Sequence, residues 1–222
     1  IMALSESSAR AMQRLFHIAP ARMVICKPGI DVTGAPAEPL QPARILYVGQ
    51  AFPRRHARET ILAFREIAQK HTGAKLIVIG EDRYQPPCIA QLTTETNKIL
   101  GYIAVEHFDY VTDEELQRQF QSATLFVYLS QREAFGFPPV EALAHGIPPV
   151  VCATPITREL FGHDAFFVND PNNISEIADV LNTGLHNVGA RQAIITGATR
   201  IRATYTWPGF CDAFLNAIQS II

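Results

Sequence analysis

Neither sign of charge dominates this 222-residue chain: 19 Lys and Arg stand against 21 Asp and Glu, a formal net charge of −2. No strong overall field draws it to nucleic acid or an anionic membrane, so any anion site must be local. Cysteine is scarce. Cys26, Cys88, Cys152 and Cys211 are widely spaced and form no CxxC pair, which argues against a disulfide framework or a zinc site and for reduced thiols in a cytosolic protein. No apolar run approaches the ~20 residues of a membrane span, and no signal peptide is visible. The GK[ST] ending of a P-loop and the GxGxxG spacing are both missing, which argues against an NTPase or a dehydrogenase. There is no internal repeat and no low-complexity tract.

What is present is a substantial apolar fraction, 48% of residues, enough for a sizeable core. Apolar runs bounded by turn signals alternate with helix-period segments. "RILYVG" (44–49), "KLIVIG" (75–80), "ATLFVYLS" (123–130), "PPVVCA" (148–153) and "DAFFVND" (164–170) read as strands, with a short one in "HFDYV". The first three are almost unbroken apolar runs, the pattern of strands covered on both faces and hence of a parallel sheet. Helices are expected at 57–71, 86–100 and 112–123, the last with a capping box of Thr112 and Glu115, and a long helical stretch after Pro171. The expected fold is α/β, a Rossmann-like doubly wound parallel sheet. Residues 32–43, rich in proline and small side chains, read as a linker. Residues 1–31, two short strands and a helix over 6–17, read as the tail of a preceding domain.

Ligands of open parallel sheets bind beyond the carboxyl ends of the strands. Three segments are expected there. In "GQAFPRRHARE", Gly49 permits a tight turn, and Arg54, Arg55 and His56 stand at the start of a helix, a combination suited to an anion, with a solvated basic turn equally open on this feature alone. "GED" (80–82) reads as an exposed acidic turn. The third is "REAFGFPPVEALAHGIPPVV" (132–151), where Pro139 fits the first helical position and Glu141 the first turn. Gly136 lets the backbone approach a ligand, and the amides of Ala134 to Phe137 suit an anion. Glu133 and Glu141, acceptor-only when ionised, suit hydroxyls, above all a vicinal diol. Phosphate on amides and arginines with diols on carboxylates is what a nucleotide sugar requires. A surface role for Glu133 and a helix-dipole role for Glu141 stay open on the residues alone.

The segment "EAFGFPPVEALAHGIPPVV" resembles the Glu-x7-Glu motif of the retaining glycosyltransferases of family 4, which have the GT-B fold. "ILYVGQAFPRRHARETILAF", "KPGIDV", "DYVTDEEL", "RELFGHDAFFVNDPNN" and "YTW" resemble further landmarks of that family in the same order. The resemblance implies that residues 1–31 end an N-terminal acceptor-binding domain. Residues 44–205 would form the donor-binding domain, and a terminal helix within 206–222 would cross back toward the first. It implies transfer of a sugar from a nucleotide-diphosphate donor to an acceptor hydroxyl with retention, in bacterial polysaccharide or glycoconjugate synthesis. No metal is expected, and no DxD occurs.

Residue by residue, the resemblance gives Glu133 the sugar hydroxyls near the reacting centre and Glu141 the ribose diol. The backbone at Phe135, Gly136 and Phe137 would meet donor sugar and phosphate. Arg55, with Arg54 beside it, would hold the diphosphate at the turn formed by Gly49 and Gln50, and Tyr110 and Val111 would lie near the base. The acceptor, a glycan or a lipid-linked glycan, would be positioned by a further domain, so residues 1–222 alone are expected to bind donor but barely turn over. A cytoplasmic location is expected, with peripheral association at the inner membrane face as an open variant. Gln50 stands where the family commonly has arginine, Ala134 where it has glycine and Ile147 where it often has threonine. Those departures keep an inactive binding or scaffold module open. A glycoside hydrolase is disfavoured, because a basic turn has no use for a neutral glycan.

Overall fold

The computed structural model describes residues 1–32, 42–70 and 73–219. Most of the expected linker, 33–41, lies outside the described residues. The amino-terminal part contains β1 (Met2–Ala3), α1 (Glu6–Phe16) and β2 (Val24–Ile25), with β1 and β2 paired in parallel. The main body follows as β3 (Arg44–Val48), α2 (Ala57–Ala68), β4 (Lys75–Ile79), α3 (Ile89–Leu100), β5 (Val105–Phe108) and α4 (Asp113–Ser122). It continues with β6 (Leu125–Tyr128), α5 (Phe137–Ala144), β7 (Pro149–Cys152), α6 (Pro155–Phe161) and β8 (Phe166–Val168). Four helices close the chain: α7 (Ile174–His186), α8 (Val188–Ile195), α9 (Gly197–Thr204) and α10 (Trp207–Gln219).

The six strands β3 to β8 form one parallel sheet in the order β5-β4-β3-β6-β7-β8. The unbroken apolar runs have their expected cause: every residue of β6 and of β7 is buried, which requires cover on both faces. On α2 the buried positions Ala57, Thr60, Ile61, Ala63, Phe64, Ile67 and Ala68 recur at helical spacing and point one stripe at the core. A fully buried side chain such as Phe64 or Ile61 contributes about 1.5–3 kcal/mol. A second cluster gathers Phe135, Val140 and Leu143 with Val151, Leu160, Phe161, Ile201 and Tyr205. It ties the loop before α5 to the carboxy-terminal helices. Among the described residues no helix is long and apolar enough to cross a membrane.

Several boundaries differ from expectation. The strand placed in "HFDYV" is Val105–Phe108, because its partner β4 ends at Ile79, opposite Phe108. The helix expected from residue 86 starts at Ile89, where the Asp82 carboxylate takes the N–H groups of Cys88 and Ile89, both at 2.7 Å. Asp82 is therefore a structural cap rather than part of an exposed acidic turn. Thr112 caps α4 through the Glu115 N–H at 3.3 Å, but the Glu115 carboxylate bonds Gln119 and Arg118 one turn on. Half of the capping box forms. The helix α5 starts at Phe137, so Pro138 and Pro139 occupy its second and third positions, where an N–H would have no partner within the helix. Glu141 consequently falls in the second turn, beyond the first-turn position expected for it. The long carboxy-terminal helical stretch breaks into α7 to α10, with Asn187 capping α8.

Candidate active site

The sheet order reverses between β3 and β6: β4 and β5 lie beyond β3, and β7 and β8 beyond β6. Loops leaving two neighbouring strands on opposite sides of such a switch point diverge and leave a crevice between them. Here those loops are 49–56 and 129–136, and they carry the two most telling stretches of the sequence. Gly80, after β4, supports the first: its φ is +142°, and a Cβ there would overlap the carbonyl of Gly49. Only glycine lets the turns after β3 and β4 approach so closely.

Glu133 is the centre of the crevice. Its Oε1 accepts from Arg55 Nε at 3.0 Å, Tyr128 OH at 2.8 Å and Ser130 Oγ at 3.0 Å. The Arg55 Nη2 is also 3.0 Å away, and both side chains of the pair are mostly buried. Oε2 accepts no hydrogen bond among the described residues. One oxygen is held by several donors while the other keeps its acceptor capacity. Arg55 also donates to the Gln50 carbonyl at 3.2 Å, which closes the turn on itself. Burial, and next the Glu133 charge, raise the Tyr128 pKa, so this phenol stays a donor across the working pH range.

A cavity of about 240 Å3 is lined by Gly49, Arg55, Glu133, Phe135, Gly136 and Phe137, among others. Six of the sequence-predicted site residues thus meet in one place. Gln50 adjoins it through its carbonyl. Gly136 has φ +95° and caps α5, a left-handed conformation that favours glycine. Ala134, which replaces a glycine of the resembled motif, is absent from the residues with positive φ, so it adds no strain of that kind. Phe135 is buried and makes edge-to-face contacts with Phe137 at 5.0 Å and Tyr205 at 5.1 Å. Its ring anchors the loop, and only its backbone is available to a ligand.

Other predicted residues lie elsewhere. Arg54 stacks on Phe52, 4.6 Å from the ring centre, and lines a second cavity of about 810 Å3 that also has Glu133 and Ala134 in its wall. His56 is buried with Nδ1 3.5 Å from Glu59, so it faces a carboxylate rather than an anion site. Tyr110 is 79% exposed in the loop after β5, while Val111 packs against the core. Glu141 does not line either cavity. It is half-buried, its carboxylate accepts no hydrogen bond among the described residues, and its pKa is raised by burial and then by the charge of Asp31.

Sequence reasoning missed the groups that hold the loop. Tyr128 and Ser130 are not marked by any motif. Neither is Glu159 on α6, which accepts from the N–H groups of Glu6 and Ser7 at 2.8 and 2.7 Å and from Ser7 Oγ at 2.6 Å. It caps α1 from more than 150 residues away. Ser5 and Ser8 then donate to the carbonyl of Ala134 at 3.1 and 2.6 Å. The amino-terminal helix is in this way fastened to the loop that carries Glu133. The serines that cap a helix are a local signal, but nothing local marks the carbonyl of Ala134, more than 120 residues away, as their acceptor.

The profile of the family described as "Glycosyl transferases group 1" matches residues 33–200. The chain belongs to this family. Among curated relatives of this glycosyl transferase group 1 chain, the O-antigen chain mannosyltransferase B of Escherichia coli is 26% identical over 99% of this chain and 60% of its own length. The mannosylfructose-phosphate synthase of Agrobacterium fabrum is 28% identical over 70% of this chain and 36% of its own. The chain spans about half the length of the curated relatives it matches. Among solved structures, WaaG, a glycosyltransferase involved in lipopolysaccharide biosynthesis, superposes with TM-score 0.74 at 19% identity over 96% of this chain and 61% of its own. A mutant of S. aureus TarM, in complex with fondaparinux, alpha-GlcNAc-glycerol and UDP, gives TM-score 0.79 at 17% identity over 97% of this chain and 43% of its own. The fold is thus the Rossmann-like α/β unit of a GT-B glycosyltransferase.

Proposed function

We propose that this glycosyltransferase chain binds a nucleotide-diphosphate sugar at the β3–β6 crevice and transfers the sugar to an acceptor hydroxyl with retention at the anomeric carbon. The observation that carries the reading is the placement of Glu133 at the switch point, with Oε1 held by Arg55, Tyr128 and Ser130 and Oε2 without a partner among the described residues. A carboxylate so fixed accepts hydroxyls of the bound sugar. The backbone at Gly49 and Gly136 and the Arg55 guanidinium, all lining the same cavity, meet the diphosphate, where negative charge develops as the sugar leaves. Preorganised donors at such a point are an electrostatic contribution to the rate. Glu141, a half-buried carboxylate without a hydrogen bond among the described residues, takes the ribose diol, and Tyr110 and Val111 at the sheet edge flank the base.

The mannosyltransferase relative from Escherichia coli supports a glycan-building role, and a mannose donor is a fitting first choice. In this reading residues 1–31 complete an acceptor-binding domain and α10 returns toward it. The free cysteines are consistent with a cytoplasmic location. The reading is tested by calorimetry and thermal shift with GDP, UDP and ADP and their sugars. At least one nucleoside diphosphate should bind at millimolar concentration or tighter, and the absence of binding by all three would refute the donor site.

A further inference from the structure

The larger cavity, about 810 Å3, lies between α1 and the β6–α5 loop, a volume within the ~300–1,000 Å3 usual for small-molecule sites. Three guanidinium groups stand in its wall: Arg14 from α1, Arg54 from the turn after β3 and Arg132 from the loop after β6. Among the described residues none of the three pairs with a carboxylate. Arg10, Arg55, Arg58, Arg83, Arg118 and Arg200 each do; other arginines among the described residues also lack a carboxylate, but only these three share this cavity wall. Glu133 shares the wall, but its charge is already matched by Arg55. The hydroxyls there are engaged too: Ser7 with Glu159, Ser8 with Ala134 and Thr154 with Thr157. The guanidinium groups are therefore the free donors, brought to one cavity from three separate segments. Leu15 and Ile156 add apolar surface beside them.

Each guanidinium carries five N–H donors and no acceptor, in a fork that fits phosphate oxygens. A single carboxylate satisfies one such fork, whereas a phosphate or diphosphate offers enough oxygens for several. We propose that this cavity is an acceptor-anchoring subsite that takes a phosphate or diphosphate group carried by the acceptor. Because Glu133 belongs to both cavities, an acceptor anchored here has its hydroxyls beside the bound donor sugar. The acceptor role rests on the transfer reading above; the anion site does not.

The test is calorimetry on the full protein with inorganic pyrophosphate as probe, the donor site first being filled with the nucleoside diphosphate that binds best. Pyrophosphate should still bind. The double variant R14Q/R132Q should weaken it at least tenfold while leaving nucleotide affinity and melting temperature unchanged, since both side chains are exposed and unpaired. The R14K/R132K variant, which keeps charge but loses the forks, should fall between. Pyrophosphate that no longer binds once the nucleotide is present, or that binds R14Q/R132Q as well as the parent, overturns the proposal. Should no nucleoside diphosphate bind, the donor reading fails by itself, and pyrophosphate titrated directly still decides the anion site. Farnesyl phosphate in detergent and mannose 1-phosphate then separate the sources. Tighter, arginine-dependent binding of the first indicates a lipid-borne phosphate, and of the second a soluble one. Arginine dependence in neither refutes the acceptor role.

Discussion

Replacing Glu141 with glutamine should move stability and binding in opposite directions. In the folded chain this carboxylate is half-buried, has no hydrogen-bond donor among the described residues, and has its pKa raised by burial and by Asp31. An acid whose folded-state pKa is raised holds its proton more tightly folded than unfolded. Ionising it therefore costs stability, and that cost grows as pH rises from the ordinary carboxylate range through the raised value. Glu141→Gln removes the charge and keeps the shape, so the melting temperature at pH 7 should rise. For a chain of this size each ~1 kcal/mol recovered raises it by about 2–4 °C. Nucleotide binding should fall. Hydrogen bonds from a diol to an ionised carboxylate are worth roughly 1.5–3 kcal/mol, or about 10- to 150-fold in Kd.

Calorimetry with a ribonucleoside diphosphate and its 2′,3′-dideoxy analogue isolates the contact. The parent should prefer the ribose form, and the variant, whose amide oxygen is a weaker acceptor than a carboxylate, should lose most of that preference. Parent affinity should also decline more steeply than the variant's on acidification toward the carboxylate range, because protonation of the terminal phosphate near pH ~6 is common to both and protonation of Glu141 is not. An unchanged ribonucleotide affinity in Glu141→Gln would refute the diol role, and a lowered melting temperature would refute the account of the carboxylate as an uncompensated charge.

Three further outcomes follow from the same geometry. Tyr128→Phe removes one of the donors on Glu133 Oε1; a lost hydrogen bond to a charged group, roughly 1.5–3 kcal/mol, should lower kcat/KM for transfer by about 10- to 150-fold with secondary structure intact by circular dichroism. Glu159→Ala removes the acceptor of the Glu6 and Ser7 N–H groups and leaves the Ser5 cap in place; it should weaken the docking of α1 by about 0.5–2 kcal/mol, read as faster amide hydrogen exchange across 6–16 than across α2. Gly80→Ala places a Cβ on the Gly49 carbonyl at φ +142°. Backbone strain of about 1–3 kcal/mol, plus the overlap, should lower the melting temperature by several degrees and abolish the nucleotide-dependent shift.

Local pattern alone determined the class of fold. Strands such as Leu125–Tyr128 and Pro149–Cys152 are apolar throughout because both faces are covered, and that requirement is written residue by residue in the chain. The motif around Glu133 and the basic turn at Arg55 were legible for a similar reason: each is contiguous, and each follows a strand whose carboxyl end faces the crevice. Helix starts were less legible. Phe137 rather than Pro139 opens α5, because several unpaired N–H positions tolerate proline equally and local chemistry does not choose among them. Only the tertiary structure decided which partners meet. Arg55 and Glu133 are 78 residues apart and form one ion pair, and Glu159 caps a helix 152 residues before it. Arg14, Arg54 and Arg132 share a cavity wall. Periodicity and propensity act over a few residues, whereas these contacts depend on where the β3–β6 switch point brings distant loops together, which no local spacing encodes.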